Sequence, residues 1–537
     1  MTEKVLERQP AVGNGNAIHG AAVKTATAPT RERLAAPAIS HKVRETSVKL
    51  FLTCALVFGL HFATNTVREI YPALSLGDRL SFDVSEYNGL HPDIFEMPGR
   101  GVFINNNPGA SVMGAVPYFL ARPLVDAIIQ RVNTQRAANP DANAQPQGYD
   151  SIYPMAREFY ERSRERGYDV KFGLGAAIMQ AFVMVPISAL SVIVIYFLLL
   201  QVTGRPRAAT LLALLYAFAT PVFYRTAQLN QNLLLAHFAL FAFVLLWRPG
   251  SKGDPDKRPF YFLAGLCAGW TVVLDYSGLV AVLVLTGYAA ARWFGSDKSE
   301  RSIAELGKFA LGVSLCGAFL MAYQWSSFGN PILPAQSYMP PAHFSDAGYR
   351  GFSLPSVDLL FDTAFSLRFG LFTSAPILLL AFYVPAWLRN RSAIFERREI
   401  IFIVTFVSLF FIFCSANQFG RMQFNTGVRH IVPAAPFVFL LAANVLLRMP
   451  VIVASILGAL GTYWMWCLVM YRDVEQGLGI PDAIKNITLG GFQFPWLSTL
   501  ERMGYVQHAS TLPLILVSAA LIWILWNVKG QRQTIGA

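Results

Sequence analysis

Apolar residues in this chain come in long, nearly unbroken runs, and polar residues are confined to the gaps between them. Such runs lack the three-and-four spacing of a helix that keeps one face in water, so they predict helices that are apolar all round. Membrane helices are predicted near 48–66, 174–200, 208–223, 228–247, 260–273, 277–293, 306–325, 370–388, 399–415, 430–447, 450–471 and 511–528. The expected fold is an all-α polytopic membrane protein of about 12 transmembrane helices with a long, partly helical first extracytoplasmic loop.

The gaps carry the orientation. Short basic clusters fall in alternate connections: Arg205 and Arg207, then Arg248, Lys252, Lys257 and Arg258, then Arg292, Lys298 and Arg301, then Arg389, Arg391, Arg397 and Arg398, with Lys529 and Arg532 at the end. Positive residues favour the cytoplasmic side, so both termini are expected there. The outward connections are then a very long first loop, 67–173, and shorter ones near 326–369, 416–429 and 472–510. Reporter fusions at Ala142 and Gly253 are expected to read outside and inside respectively. Residues 1–46, rich in Ala, Thr, Pro and Arg, are expected to form a disordered cytoplasmic tail, followed by a transmembrane domain over 47–528 and a short cytoplasmic end at 529–537.

Within the first loop, the amphipathic stretch 111–132 predicts a helix lying along the membrane surface, with a span paired with a second one as the alternative. A polar segment rich in Asn, Gln, Ala and Pro, 133–148, follows it. No internal repeat is visible, which argues against transporters built from duplicated halves.

Composition agrees with the pattern. Hydrophobic residues make up 54% of the 537 and charged residues only 14%, against about 25% charged in an ordinary soluble domain. The net charge of +12 belongs to the short basic gaps and the N-terminal tail, which excludes a nucleic-acid patch as its explanation. Cys54, Cys267, Cys316, Cys414 and Cys467 all lie inside apolar runs without CxxC spacing and read as packing residues. The sequon Asn486-Ile487-Thr488 is incidental, since nothing else points to a eukaryotic secretory protein.

Chemistry is expected at the outer ends of the runs. The segment 260–293 is too long for one span and short for two, and a break at Asp275-Tyr276-Ser277-Gly278 resolves its length. An aspartate there costs about 2.5–3.5 kcal/mol on insertion scales unless it faces a polar cavity or a partner, which makes Asp275 and Tyr276 candidates for cavity support as well as for a simple hinge. The first loop opens with Arg68-Glu69 and carries Asp78, Asp83, Glu86 and Asp93 before Asn105-Asn106-Asn107-Pro108-Gly109. A carboxylate just beyond a helix end sits at the depth of a lipid phosphate, which favours Glu69. For each of these acids the plainer alternative is an ordinary ion pair, with Arg68 or Arg79.

Transfer of a sugar from a polyprenyl phosphate needs one general base, because the departing phosphate leaves without protonation; glycosidases need two carboxyl groups. The phosphate charge must be met by cations held at the membrane surface. Arg429 and His430, at the outer start of one predicted helix, and Arg368, at the start of another, are placed for donor-phosphate binding; snorkelling to lipid headgroups is the alternative. Asn230 and Asn232, with Gln231 between them, stand where an outer turn meets a helix and could contact a sugar or cap the helix.

With these pieces in place, the chain resembles the type-C integral-membrane glycosyltransferases (GT-C), the superfamily of protein O-mannosyltransferases and the lipid A aminoarabinose transferase. The resemblance covers most of 48–450. It rests on the acidic first outer loop, Asn107-Pro108-Gly109 followed by Ala115-Val116-Pro117-Tyr118-Phe119, and the broken pair around Leu274-Asp275-Tyr276. Further on it rests on Tyr323-Gln324-Trp325-Ser326-Ser327-Phe328-Gly329-Asn330-Pro331, Arg368-Phe369-Gly370-Leu371-Phe372-Thr373-Ser374-Ala375-Pro376 and Val428-Arg429-His430-Ile431-Val432-Pro433-Ala434-Ala435-Pro436-Phe437.

The resemblance implies an inverting transfer from an undecaprenyl-phosphate-type donor to a glycan, lipid or protein acceptor, at the outer face of a bacterial cytoplasmic membrane. It also implies a first-loop carboxylate as base, Glu69 first and Asp83 second. Some members use a divalent metal, although no ligand cluster stands out here. The superfamily's acidic pair is replaced by Arg68-Glu69, and the lysine often found shortly before the Pro-Gly turn is Asn106. Two other classes stay open: a transporter or flippase of lipid-linked saccharides, and a non-catalytic subunit of envelope polymer assembly.

Overall fold

Proline and glycine punctuate the helices. Pro206 and Pro221 stand in the first turns of their helices, where an N–H has no partner to lose. Gly204 and Gly329 close two others in the left-handed conformation that only glycine adopts without strain. The structure, a computed structural model, describes residues 41–64, 67–138, 154–248, 259–296, 301–341, 344, 346–383, 394–421, 427–471, 479–503, 505–507 and 510–528.

After α1 (His41–Leu60) come α2 (Ile70–Arg79), the hairpin β1 (Ile94–Met97) and β2 (Gly101–Ile104), α3 (Gly109–Ala138) and α4 (Pro154–Glu165). The bundle continues with α5 (Asp169–Thr203), which carries a π turn at Gln180–Met184, then α6 (Pro206–Phe218), α7 (Pro221–Thr226), α8 (Gln231–Trp247), α9 (Tyr261–Leu274) and α10 (Gly278–Phe294). Then follow α11 (Ile303–Phe328), α12 (Val357–Phe365), α13 (Leu371–Ser374), α14 (Arg397–Ala416), α15 (Ala435–Leu446) and α16 (Val451–Met470). The last are α17 (Ile480–Gly490), α18 (Pro495–Arg502) and α19 (Leu512–Asn527). Among the described residues the fold is helical apart from one two-stranded antiparallel sheet.

Five of the described helices, α3, α5, α11, α14 and α16, are long and apolar enough to cross a membrane. α6, α8, α9, α10, α19 and the stretch Val432–Leu446 are apolar but shorter. Among the described residues, α9 and α11 share the most extensive helix contact. Gly265 and Gly269 lie against the backbone of Phe309 and Val313, and Gly312 faces Leu266, so the absence of side chains lets two backbones approach in the manner of small-residue seams. Elsewhere the core is aromatic, with Phe243 stacked on Phe402 at 4.5 Å and Phe406 against Phe437 at 4.3 Å.

Several predicted elements differ. α1 begins at His41, inside the stretch assigned to a disordered tail: Glu45 pairs with Lys49, and Thr46 and Ser47 turn their hydroxyls back onto Lys42 and Val43 carbonyls. Residues 1–40, Ala142 and Gly253 lie outside the described residues. The span expected at 208–223 is two helices, because Thr220 caps a new start at Pro221. The span expected at 370–388 is the short α13 followed by a 3-10 segment, Pro376–Tyr383. Proline 376 removes a backbone donor and pushes Ala375 out of the helical region. The amphipathic stretch is a thirty-residue helix, α3, which buries Tyr118 and Val125 and leaves Val116, Phe119, Leu120 and Leu124 exposed. By length and hydropathy α3 also qualifies as a span.

The hairpin was not expected. Met97-Pro98-Gly99-Arg100 turns the chain, the Arg100 N–H closing onto the Met97 carbonyl at 3.0 Å and Gly99 adopting φ +74°. Arg100 then reaches the Trp325 and Ser326 carbonyls at the end of α11, 3.3 and 3.4 Å away. Orphan carbonyls at a helix C-terminus favour a cation there.

Candidate functional site

Glu69 is the last residue before α2, yet its side chain does not cap that helix. The side chain is 3% exposed and turns back to Arg68, whose Nε lies 3.1 Å from Glu69 Oε1. Arg68 Nη1 also reaches Asp93 Oδ2 at 3.5 Å, so one guanidinium bridges the start of α2 to the segment leading into the hairpin. Behind Glu69, the Ser111 hydroxyl donates to the Glu69 carbonyl at 2.8 Å and fixes the segment to the first turn of α3.

A second segment of the cluster is the break between α9 and α10. Asp275 leaves α9 in an extended conformation, and its Oδ1 accepts the Ser277 N–H at 2.9 Å, forming a turn into α10. The Asn107-Pro108-Gly109 segment docks on the same helix end. Asn107 Nδ2 donates to the Val272 carbonyl at 2.7 Å, and a Cβ on Gly109 would stand 2.7 Å from the Val273 carbonyl oxygen. Only glycine allows that approach.

A third segment of the cluster is 427–430. The buried Arg225 of α7 donates from Nε to the Val428 carbonyl at 2.5 Å and from Nη2 to the Gly427 carbonyl at 3.0 Å, while the Gly427 N–H donates to the Arg368 carbonyl at 2.7 Å. Arg429 is thereby held where Arg68, Glu69, Asp93 and Asp275 all act on its charge. Three carboxylates and two guanidinium groups thus share one neighbourhood.

Protonation follows from burial. Burial opposes the Arg68 charge, but Glu69, Asp93 and Asp275 together raise its pKa above the ordinary value. Burial and then Arg68 press on Arg429 from the other side and lower its pKa, against the pull of the same carboxylates. Burial, Arg68 and Arg429 lower the His91 pKa to about 4 despite Asp93. His91 Nδ1 accepts the Asp93 N–H at 3.0 Å, as a neutral ring requires. Burial, then Arg429, Arg68 and Arg225, hold His430 well below the usual imidazole range. His430 is therefore a neutral hydrogen-bonding group rather than the cation its place beside Arg429 first implies.

Glu69, Asp275 and Arg429 come together. Arg368 joins through its backbone, one hydrogen bond away from Gly427. Asp83 does not join: its carboxylate accepts the Ser85 N–H at 2.7 Å and the Ser85 hydroxyl, and its carbonyl accepts from Ser75 and from Arg79 at 2.8 Å. Asp78 and Glu86 serve a separate ion-pair network. Lys171 binds Asp78 at 2.7 Å and Glu86 at 3.7 Å, and Arg122 reaches Asp78 at 3.4 Å.

Asn230 caps α8, its Oδ1 accepting the Leu233 N–H at 2.9 Å. Asn232 is buried with its Oδ1 lacking a hydrogen-bond partner, and Asn106 donates to Ser111 at 3.3 Å while its own Oδ1 has none. Tyr276 accepts a hydrogen bond from Gln324. Asn65, Thr66, Asn425 and Thr426 lie outside the described residues.

His91 and Arg225 were missed, and Asp93, named among the first-loop acids, makes the ion pair with Arg68 that was its plainer alternative. Arg225 had a signal: a lone charge in Tyr224-Arg225-Thr226 at the end of a predicted span, where a charge needs a partner. Among the described residues no group of three His, Cys, Asp or Glu side chains is arranged to hold a metal ion, and two of the three clustered carboxylates, Glu69 and Asp93, are paired with Arg68. These residues do not fit a metal site. The four groups best suited to chemistry are one buried carboxylate, two guanidinium groups and a neutral imidazole, which together can take a proton and stabilise an anion. No protein-family model matches the chain, and comparisons with curated proteins and with solved structures find no match either.

Proposed function

We propose that the chain is a glycosyltransferase of the bacterial cytoplasmic membrane. It moves a sugar, with inversion, from a polyprenyl-phosphate donor to an acceptor hydroxyl on the extracytoplasmic side. The observation that carries this reading is Glu69, a buried carboxylate bound to Arg68 within the field of Arg429.

In this reaction the acceptor oxygen bonds to the anomeric carbon as the bond from that carbon to the donor phosphate oxygen breaks. The acceptor proton passes to Glu69, and the electron pair departs with the polyprenyl phosphate. Arg429 and Arg68 meet the phosphate charge, and His430 adds a neutral hydrogen bond. The donor phosphate and Glu69 compete for Arg68, so arrival of the donor itself would release the base. Asp275 supports the cavity floor, Arg368 braces the segment 427–430, and Asn106, Asn107 and Asn232 line or hold the surrounding shell. Membrane lipid surrounds the helices, and the acceptor is a glycan, a lipid or a protein.

A second reading, a transporter or flippase of lipid-linked saccharides, is favoured by the ion pair that Glu69 already makes, since transport needs no base. The test is incubation of the purified chain with a panel of radiolabelled undecaprenyl-phosphate sugars. Release of free lipid phosphate with one of them is the expected result. No release with any, together with saccharide flipping in vesicles, would replace the transferase by the transporter.

A further inference from the structure

A chamber of about 600 Å³ lies between the last turns of α3, α4, the first turns of α5 and α18. The volume is that of a small-molecule site, and none of the lining residues belongs to the charged cluster around Glu69. Val132, Phe159, Phe172 and Leu500 give the chamber an apolar surface.

The charges in its wall are satisfied within the protein. Arg136 and Asp169 bind each other through two bonds of 3.2 and 2.6 Å, and Arg164 is engaged as well. What the wall offers a ligand is therefore hydroxyl groups. Thr64 Oγ1 and Thr499 Oγ1 lie 2.7 Å apart, and the Tyr160 hydroxyl reaches Thr64 at 3.5 Å, so these three are already bonded. Ser163 differs from them: the residue is 1% exposed and its hydroxyl has no hydrogen-bond partner. A buried hydroxyl left unpaired is destabilising, and a polar group bound in the chamber would supply the missing bond. An ion bound there would lose its water without gaining a free countercharge, a cost that a neutral ligand does not meet.

We infer that this chamber binds an uncharged amphiphile, a single alkyl chain ending in a hydroxyl or ester group. The chain lies along Val132, Phe159, Phe172 and Leu500, and the head bonds to Ser163. The site takes no part in the transfer proposed for Glu69, and its test reads binding alone.

The test uses the full chain in nanodiscs of phosphatidylcholine and a 1-lauroylglycerol probe carrying a diazirine at the chain end. Expected is cross-linking to peptides of α4, α5 and α18. Unlabelled 1-lauroylglycerol, dodecanol or both displace the probe, and dodecyl phosphate and dodecyltrimethylammonium do not. Displacement by dodecanol shows that one hydroxyl suffices, and displacement by the glyceride alone assigns the ester.

Ser163→Ala removes a hydroxyl that bonds to nothing in the protein, so the unfolding temperature of the ligand-free variant is expected to stay level or rise. Its affinity for the probe is expected to fall about three- to tenfold, the worth of one neutral hydrogen bond. The competition arm uses the unaltered chain and decides the matter even if the variant fails to fold. Labelling spread over lipid-facing helices, displacement by the charged amphiphiles as strong as by the neutral ones, or full affinity in Ser163→Ala would overturn the inference.

Discussion

Glu69 and Arg68 are neighbours in the chain and also partners in space, with Arg68 Nε 3.1 Å from Glu69 Oε1. Adjacent residues within a helix point in different directions, and this pair forms because Arg68 lies outside α2 and Glu69 stands at its boundary. The pair explains why a carboxylate can be buried here.

Glu69→Gln keeps the shape of the side chain and removes the proton acceptor. Lipid-linked sugar turnover by the purified variant is expected to fall about 10²- to 10⁴-fold. Asp83→Asn is expected to lose less than about tenfold, since Asp83 only shapes its own loop. Equal and large losses in both would count against a unique base.

Arg225 carries the segment that presents Arg429. Arg225→Met leaves the Gly427 and Val428 carbonyls without their donor, a cost of about 1–3 kcal/mol for each buried group left unsatisfied. Thermal unfolding in detergent should show the loss. The KM for the lipid donor is expected to rise more than kcat falls, with partial rescue by Arg225→Lys.

His91 links stability to pH. Its folded pKa of about 4 lies below the ordinary 6.5, so the unfolded chain binds the proton first as pH falls. The contribution is present above pH 6.5 and is lost between 6.5 and about 4, on the order of 3 kcal/mol when fully developed. His91→Gln is expected to flatten the dependence of the unfolding midpoint on pH over that interval. A slope identical to that of the unaltered chain would assign the effect to other groups.

Gly109 lets the start of α3 touch the end of α9. Gly109→Val would drive a side chain into the Val273 carbonyl and the Leu274 nitrogen, both backbone atoms that have no rotamer to change. A loss of about 1–3 kcal/mol or more is expected in thermal unfolding, with turnover falling as the Asp275 turn shifts. Asn107→Ala should cost about 1 kcal/mol through its single bond to the Val272 carbonyl.

The sequence alone determined the helical class, since long apolar runs cannot be satisfied in water. It also located the break at Asp275, because 34 residues of apolar chain between polar ends have no other way to fit. Its ranking of Glu69 and Arg429 came from their position at helix ends, a one-dimensional property. Helix ends at Pro221 and Pro376 were also readable in principle, but hydropathy averages over a single proline and hides it.

What only the tertiary structure decided were the pairings across distance. The sequence cannot show that Arg68 is shared by Glu69 and Asp93, that Asp83 turns inward on its own loop, or that Arg225 supports residues two hundred positions later. Nor does it reveal that His430 is neutral, since that depends on how many cations burial gathers around it. Apolar periodicity is a property of each segment by itself. The partner of a charge is a property of the packed chain, because electrostatic energy depends on separation in space and on the water excluded between the groups.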